Sequence, residues 1–300
     1  MDMTQNKCCR HGTNLRRRRR RRRKILRSII FSCSIIAVAV FVAVGSSMIR
    51  SGDGRTNRYD VEAGNNTYDN AVIENSKISE KNKIQNNQSM LDDIMNSTQY
   101  PKQLKDLALK NEEALEFVYD YPAEHVKEHT IDLTEEASMD SVPLFVQWDK
   151  RWGYEKYSGN FFAASGCGPT TLSMVVVYLT HNRDASPIAV AKYSKEAGYS
   201  VDGSGSSWTL ISEGCRHYGV KAKTVALDES RMKAELDEGH PIVVNVGPGD
   251  FTDTGHFMVI TGYDDEGFSI NDPNSIEKSG KRWLFKNISS QIRAVWSMYV

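Results

Sequence analysis

The stretch Ser165-Gly166-Cys167-Gly168-Pro169-Thr170 opens an apolar segment that continues to about Thr180. Residues 170–180 are apolar nearly all round, which predicts a buried central helix. Cys167 would lie at the N-terminal end of that helix, where unpaired backbone N–H groups and the helix dipole stabilise a thiolate. Its small neighbours favour an accessible nucleophile. The alternative is a buried structural cysteine, although flanking glycines would contribute no packing around it.

Short β-branched runs follow this segment at residues 241–246, 256–263 and 267–271. The last two are separated by the turn-forming sequence Asp264-Asp265-Glu266, which predicts a hairpin. A helix followed by antiparallel strands indicates an α+β domain with the helix packed on the sheet.

His256 and Asp272 are the candidate partners of the thiol. His256 begins a predicted strand directly after Gly255, which would leave its imidazole at an open edge as a general base. Asp272 ends the neighbouring strand and can fix the tautomer and orientation of that ring. Taken singly, each has an ordinary alternative, a surface histidine and a turn residue before Pro273.

Gln147 lies twenty residues before Cys167, in Val146-Gln147-Trp148. Its amide could donate to an oxyanion together with the Cys167 backbone N–H. A glutamine that props Trp148 or Trp152 is the alternative.

Together these four positions occur in the order Gln, Cys, His, Asp. The pattern resembles papain-like cysteine peptidases, specifically the peptidase-family-39-like group related to the bacteriocin-processing double-glycine peptidases. The resemblance runs from about residue 142 to the C-terminus. It implies a papain-like fold over residues 141–300, and it implies Cys167 as nucleophile, His256 as general base and acid, Asp272 as its orienting group and Gln147 as oxyanion donor.

The resemblance also implies a peptide or protein substrate, held extended in a cleft, and no cofactor or metal. No Gly-x-x-x-x-Gly-Lys-Ser/Thr loop of a transporter ATPase is present, so processing of leader peptides does not follow. Cys215 is not flanked by glycine on both sides, and neither His217 nor His240 precedes a strand that pairs with a candidate orienting carboxylate.

Residues 28–49 form an uncharged apolar stretch of 22 residues, preceded by eight consecutive arginines from Arg16 to Arg23. As a helix it would span roughly 30 Å, about one hydrocarbon core. The positive-inside rule then predicts a cytoplasmic tail over residues 1–27 and an extracytoplasmic body. Cleavage as a signal peptide near residues 43–47, with secretion, is the alternative. Residues 50–100 are polar and asparagine-rich and predict a disordered linker.

Residues 101–140 predict a helical leader, which resembles the segment found ahead of such domains in exported bacterial relatives. An amphipathic helix over residues 101–119 would stop near Tyr121-Pro122. Whether this leader inhibits the domain as a pro-segment is open, and so is the oligomeric state.

The charge distribution is strongly polarised within a chain of formal net charge zero. Residues 1–50 hold 13 basic residues and one acid, whereas residues 51–300 hold 25 basic and 37 acidic residues. An acidic body disfavours nucleic-acid binding. The sequence therefore predicts a membrane-anchored extracytoplasmic cysteine peptidase acting on peptide or isopeptide bonds. A peptidoglycan stem-peptide amidase and a catalytically inactive cell-surface binding module are the alternatives.

Overall fold

The computed structural model describes residues 66–300, and side chains from residue 79 onward. The chain divides into two units, residues 1–69 and 70–300, and the fold below is that of the second. The α-helices in the described part are α1 (Asn66–Asn96), α2 (Lys102–Lys110), α3 (Leu115–Tyr119), α4 (Tyr121–Glu124), α5 (Thr134–Ser138), α6 (Phe162–Ser165), α7 (Cys167–Thr180), α8 (Pro187–Glu196), α9 (Thr209–Ser212), α10 (Glu229–Asp237), α11 (Ile276–Ser279) and α12 (Phe285–Ile288). Short 3-10 turns cover Glu112–Ala114, Gly214–Tyr218 and Ser289–Gln291.

The β-strands form one six-stranded sheet and two small hairpins. Every pair of neighbouring strands is antiparallel, and the large sheet has the order β5-β10-β6-β7-β8-β9. The strands are β1 (Lys156–Tyr157), β2 (Asn160–Phe161), β3 (Ser200–Val201), β4 (Gly205–Ser206), β5 (Lys221–Thr224), β6 (Ile242–Val246), β7 (His256–Asp264), β8 (Gly267–Asn271), β9 (Arg282–Trp283) and β10 (Ile292–Tyr299). The predicted hairpin is confirmed as β7 and β8.

Helix α7 is the central helix that the sequence predicts. All residues from Gly168 to Val177 are buried. The helix ends at His181, which takes the left-handed conformation (φ 57°) and donates its N–H to Val177 O. One face packs on β7, where Thr171 Oγ1 donates to Phe257 O at 3.1 Å. This mixture of helices and an antiparallel sheet agrees with the predicted α+β papain-like fold.

The predicted disordered linker is wrong for residues 66–96, which form helix α1. Most of α1 is polar, so it shows little of the apolar periodicity on which a helix prediction depends. Its C-terminal end carries the exception. Ile94 is fully buried in a cluster with Leu104 and Leu107, and Met90 packs at the edge of the same cluster. That tertiary contact fixes the end of the helix.

The leader is helical in pieces, and the prediction of one helix over residues 101–119 is wrong. Asn111 is extended (φ −136°, ψ 100°), and its side chain accepts a hydrogen bond from the Glu113 N–H at 3.0 Å. An asparagine that bonds its own backbone in this way competes with helix continuation. Pro122 does not end a helix either, because it lies in the first turn of α4, where its missing N–H is not needed.

Within residues 66–300, no helix is long and apolar enough to cross a membrane. The predicted span at residues 28–49 and the predicted cytoplasmic tail at residues 1–27 lie outside the described residues.

Candidate active site

Cys167 is the first residue of helix α7 and lies in a surface cleft, partly exposed. Close packing explains the glycines on either side of it. A Cβ on Gly166 would come within 2.6 Å of the Phe162 ring, and one on Gly168 within 2.6 Å of Ser206 Oγ. Glycine therefore lets the start of the helix approach its neighbours closely. The backbones of Phe257 and Gly168 lie close to the thiol and help to lower its pKa.

His256 is the first residue of β7 and lies beside the Cys167 thiol, close enough for each group to shift the pKa of the other. The hydrogen bond from Thr171 to Phe257 O sets this approach, because residues 167 and 171 share one helix face. Asn245 Nδ2 also donates to His256 O at 3.2 Å. The imidazole is only 6% exposed, so it is less open than the predicted strand edge. Strand β6 alongside and the Asp272 turn account for that burial.

Asp272 follows the end of β8, as predicted, and is completely buried. Its Oδ1 accepts hydrogen bonds from His256 Nε2 at 2.7 Å and from the Asn274 N–H at 2.8 Å. Its own N–H donates to Ser279 Oγ at 2.9 Å. Because Nε2 is held by the carboxylate, Nδ1 is the ring nitrogen left to face the sulfur.

Electrostatics within this group favour a charged sulfur and a charged ring. Burial by itself raises the pKa of the Cys167 thiol, but the hydrogen bond and positive charge of His256 outweigh burial and bring the pKa below its usual value. Burial by itself lowers the pKa of His256, but the Asp272 carboxylate and the sulfur raise it to about 10. The two shifts favour a thiolate–imidazolium pair at neutral pH.

Gln147 is buried between the turn that carries Asp272 and the segment just before Cys167. Its N–H donates to Pro273 O and its Nε2 to Ala163 O, both at 2.7 Å. Oε1 has no partner among the described residues. The predicted alternative is a glutamine that supports Trp148 or Trp152. The side chain of Gln147 bonds neither indole, because Trp148 Nε1 donates to Asn274 O and Trp152 Nε1 donates to Val146 O.

The remaining cysteine and two histidines have other surroundings. Cys215 is fully buried in the core, and burial raises the pKa of its thiol to about 11. His217 stacks on Tyr193 with ring centroids 4.0 Å apart. His240 Nδ1 lies 3.3 Å from Glu235 Oε2.

The cleft around Cys167 has a volume of about 710 Å³. One wall comes from residues within 158–167 and 203–208, and the other from residues 245–248, 254, 255 and 257 together with Arg293. Glycine, serine and asparagine supply most of this lining. No residue of the 101–140 leader lines the cleft.

Two leader residues hold the turn that carries Asp272, a contact that no sequence pattern predicts. Asn111 Nδ2 donates to Asn274 O at 2.9 Å and to Asn274 Oδ1 at 3.1 Å. The Glu113 carboxylate accepts from Ser275 Oγ and from two backbone N–H groups, those of Ile276 at 2.7 Å and Glu277 at 3.1 Å. The polar break Asn-Glu-Glu is the only local signal, and it does not indicate a partner more than 160 residues away.

A family model described as the Peptidase C39-like family matches residues 139–300. Among solved structures, the chain is similar to the peptidase domain of Streptococcus ComA, described as a bifunctional ABC transporter involved in a quorum-sensing pathway. That match has 20% identity and a TM-score of 0.36 and covers 45% of this chain and 90% of that one. A protein from Bacillus anthracis described as a C39-like peptidase matches with 16% identity and a TM-score of 0.34, over 53% of this chain and 95% of that one. No curated protein matches the chain.

Proposed function

The chain belongs to the peptidase C39-like family, and we propose that it is a cysteine peptidase that hydrolyses peptide or isopeptide bonds through a Cys167 acyl-enzyme. The observation that carries this proposal is the arrangement of three residues, in which His256 lies beside the Cys167 thiol and bonds the buried Asp272 carboxylate through Nε2. A nucleophile, a base and a group that orients the base form the minimum set for acyl transfer through a thiol.

In the first half of the reaction, the Cys167 thiolate attacks the carbonyl carbon of the scissile bond. The imidazolium of His256 then gives its proton to the leaving amine, which departs as the C–N bond breaks. In the second half, neutral His256 takes a proton from water as the water attacks the thioester, and Cys167 leaves as the thiolate. Asp272 stays ionised and fixes the ring through Nε2.

The tetrahedral intermediates carry an oxyanion that needs donors. Cys167 begins helix α7, so its backbone N–H has no acceptor within the helix and is available. Gln147 Nε2 uses one of its two hydrogens on Ala163 O and keeps the other. We assign these two groups to the oxyanion, where one donor contributes about 10²-fold to the rate.

The enzyme can be tested with the full-length chain and a proteome-derived peptide library, with new N-termini identified by mass spectrometry. We expect cleavage by the wild type and none by the Cys167→Ala variant. The Cys215→Ala variant is the matched control, because Cys215 is buried and outside the cleft, and it should retain cleavage.

Alkylation at pH 6 gives a second readout. Peptide mapping should show modification at Cys167 and none at Cys215, since only the first thiol has a lowered pKa and access to solvent. Absence of cleavage, combined with a Cys167 that reacts like a free thiol, would show a binding module instead of an enzyme.

We also propose that residues 28–49 anchor the chain in a membrane, with the arginine-rich tail inside and the peptidase domain outside. The support is the apolar stretch of 22 residues and the one-sided distribution of basic residues around it. Protease added to intact cells should remove an epitope at the C-terminus and spare one at the N-terminus. Release of the whole domain into the medium would instead indicate signal cleavage.

A further inference from the structure

Arg293 stands at an irregularity in strand β10. The pairing of β10 with β6 shifts register between Ile292 and Ala294, so Arg293 is the extra residue of a bulge. Bulges redirect the side chain they carry and recur beside active sites. Here the redirected side chain lines the cleft that contains Cys167.

The sheet register gives the distance from this bulge to the catalytic group. Val246 pairs with Ile292 on one side and with His256 on the other. Adjacent strands lie about 4.8 Å apart, so the bulge is about 10 Å from the start of β7. An extended peptide advances about 3.3 Å per residue, so a side chain that extends from this bulge can reach a substrate residue a few positions from the scissile bond.

The Arg293 guanidinium packs beside Gly247 but has no ionic partner among the described residues. A Cβ on Gly247 would lie 2.7 Å from Arg293 Nε, so only glycine leaves space for the side chain as it stands. One N–H, on Nη1, donates to Ser290 O at 3.0 Å. Among the described residues, the other four N–H groups have no acceptor, and no carboxylate lies within ion-pair distance. The nearby Asp250 accepts instead from Gln291 Nε2 at 2.6 Å.

Arg293 is also the only residue with a full side-chain charge in the described cleft lining outside the catalytic group itself. The remaining wall residues are neutral, so Arg293 is the side-chain charge that a substrate in this cleft would meet. Guanidinium groups bind carboxylates through paired N–H donors, and four such donors are free here.

We propose that Arg293 binds a carboxylate of the substrate, so that the enzyme selects peptides with Asp or Glu a few residues from the cleaved bond. This inference rests on the proposed peptidase function. It adds a substrate class that an acidic protein body would otherwise disfavour, because 37 acidic and 25 basic residues follow position 50.

Matched fluorogenic peptides test the proposal on the full-length chain. Starting from a cleaved sequence, Glu, Gln or Lys is placed at each of four positions on either side of the scissile bond. We expect one position at which Glu exceeds Gln by about tenfold in kcat/KM, a preference that shrinks as salt is raised. Arg293→Gln should abolish the preference, and Arg293→Glu should turn it toward Lys.

Arg231→Gln is the control, because Arg231 is exposed on α10 and does not line the cleft. It should keep the wild-type preference. Gly247→Ala is an independent variant, because its new methyl group would displace the flexible Arg293 side chain and leave the guanidinium chemistry intact. It should weaken the preference in the same direction as Arg293→Gln.

Binding separates this inference from the peptidase proposal. Fluorescence polarisation with Cys167→Ala protein measures the Glu-to-Gln difference without turnover. A preference in binding with no cleavage by the wild type would retain the Arg293 site and reject the peptidase. Cleavage with equal rates for Glu and Gln at all eight positions would reject the Arg293 site and retain the peptidase.

Discussion

His256 gives the active site its expected pH range. The active form needs a deprotonated Cys167 and a protonated His256, so kcat/KM rises as the thiol ionises and falls as the ring loses its proton. The pKa of Cys167 is lowered by His256 and that of His256 is raised to about 10, which predicts a bell-shaped profile with its alkaline limb near pH 10. These limbs belong to the coupled pair.

Asp272→Asn tests the origin of that alkaline limb. The carboxylate raises the pKa of His256, and the amide lacks its charge, so we expect the limb to move to lower pH and the rate at neutral pH to fall by about 10²-fold or more. A pH–rate profile of both proteins is the measurement. An alkaline limb unmoved by the substitution would contradict the role given to Asp272.

Thr171 offers a second test at the level of one residue. Thr171→Val keeps the shape but leaves Phe257 O without its hydroxyl donor, so unfolding free energy should fall by about 1–3 kcal/mol and kcat should fall with it. Thr170→Val is the matched control. Thr170 is equally buried, but its hydroxyl bonds Gly166 O within its own helical segment and does not reach β7. An equal loss of kcat in both variants would refute the alignment role of Thr171.

The residues that come together at this site could be nominated from the sequence because their local setting is unusual. Cys167 has glycines on both sides, and His256 and Asp272 lie at strand ends. The partners that align them could not be nominated. Thr171 looks like any helix residue, and its contact with Phe257 joins positions 86 residues apart.

At the level of elements, the leader secures the turn that carries Asp272. Glu113→Ala would remove the acceptor of the Ile276 and Glu277 N–H groups, so we expect a loss of about 1–2 kcal/mol in stability, faster amide exchange at residues 274–279 and a lower kcat.

Glu112→Ala is the neighbouring control, because the Glu112 carboxylate bonds only Asn87 among the described residues, at the protein surface. Glu113→Gln should recover part of the loss, since a neutral amide oxygen still accepts hydrogen bonds. Unchanged exchange at residues 274–279 in Glu113→Ala would count against this role.

The predicted secondary structure agrees with the observed elements where buried apolar residues produce a recognisable sequence pattern. Strands β6 and β7 and helix α7 carry apolar runs and β8 carries two buried apolar side chains, and the bounds of all four agree with prediction within a few residues. Prediction failed for α1, whose surface is polar, and at Asn111, where a side-chain hydrogen bond decides the backbone conformation.

At the level of the whole molecule, the leader acts as part of the domain core. Its buried residues pack on Phe161 and Ala163, directly before the helix that carries Cys167. Each fully buried large apolar side chain contributes about 1.5–3 kcal/mol, so several together rival the stability of a small domain. The buried leader residues of this cluster are Leu104, Leu107, Ala108, Ala114, Leu115, Phe117 and Val118, and two more, Leu133 and Ala137, lie in the core around helix α7.

We therefore expect a chain that starts at Ser141 to unfold at a lower temperature than the full-length chain and to be less active. Calorimetry and peptide turnover on the two proteins provide the comparison. Higher activity in the shortened chain would show that residues 101–140 inhibit the domain as a pro-segment. That outcome would contradict the packing described here, in which no leader residue lines the cleft.

Of the two cysteines that the structure describes, Cys167 is partly exposed with a lowered pKa, and Cys215 is buried with a raised pKa. Peroxide will therefore oxidise the first to a sulfenic acid that Cys215 cannot capture as a disulfide. Without a small-molecule thiol, oxidation proceeds to sulfinic acid and the loss of activity becomes permanent. Protein purified in air without a reductant would then be folded but catalytically inactive.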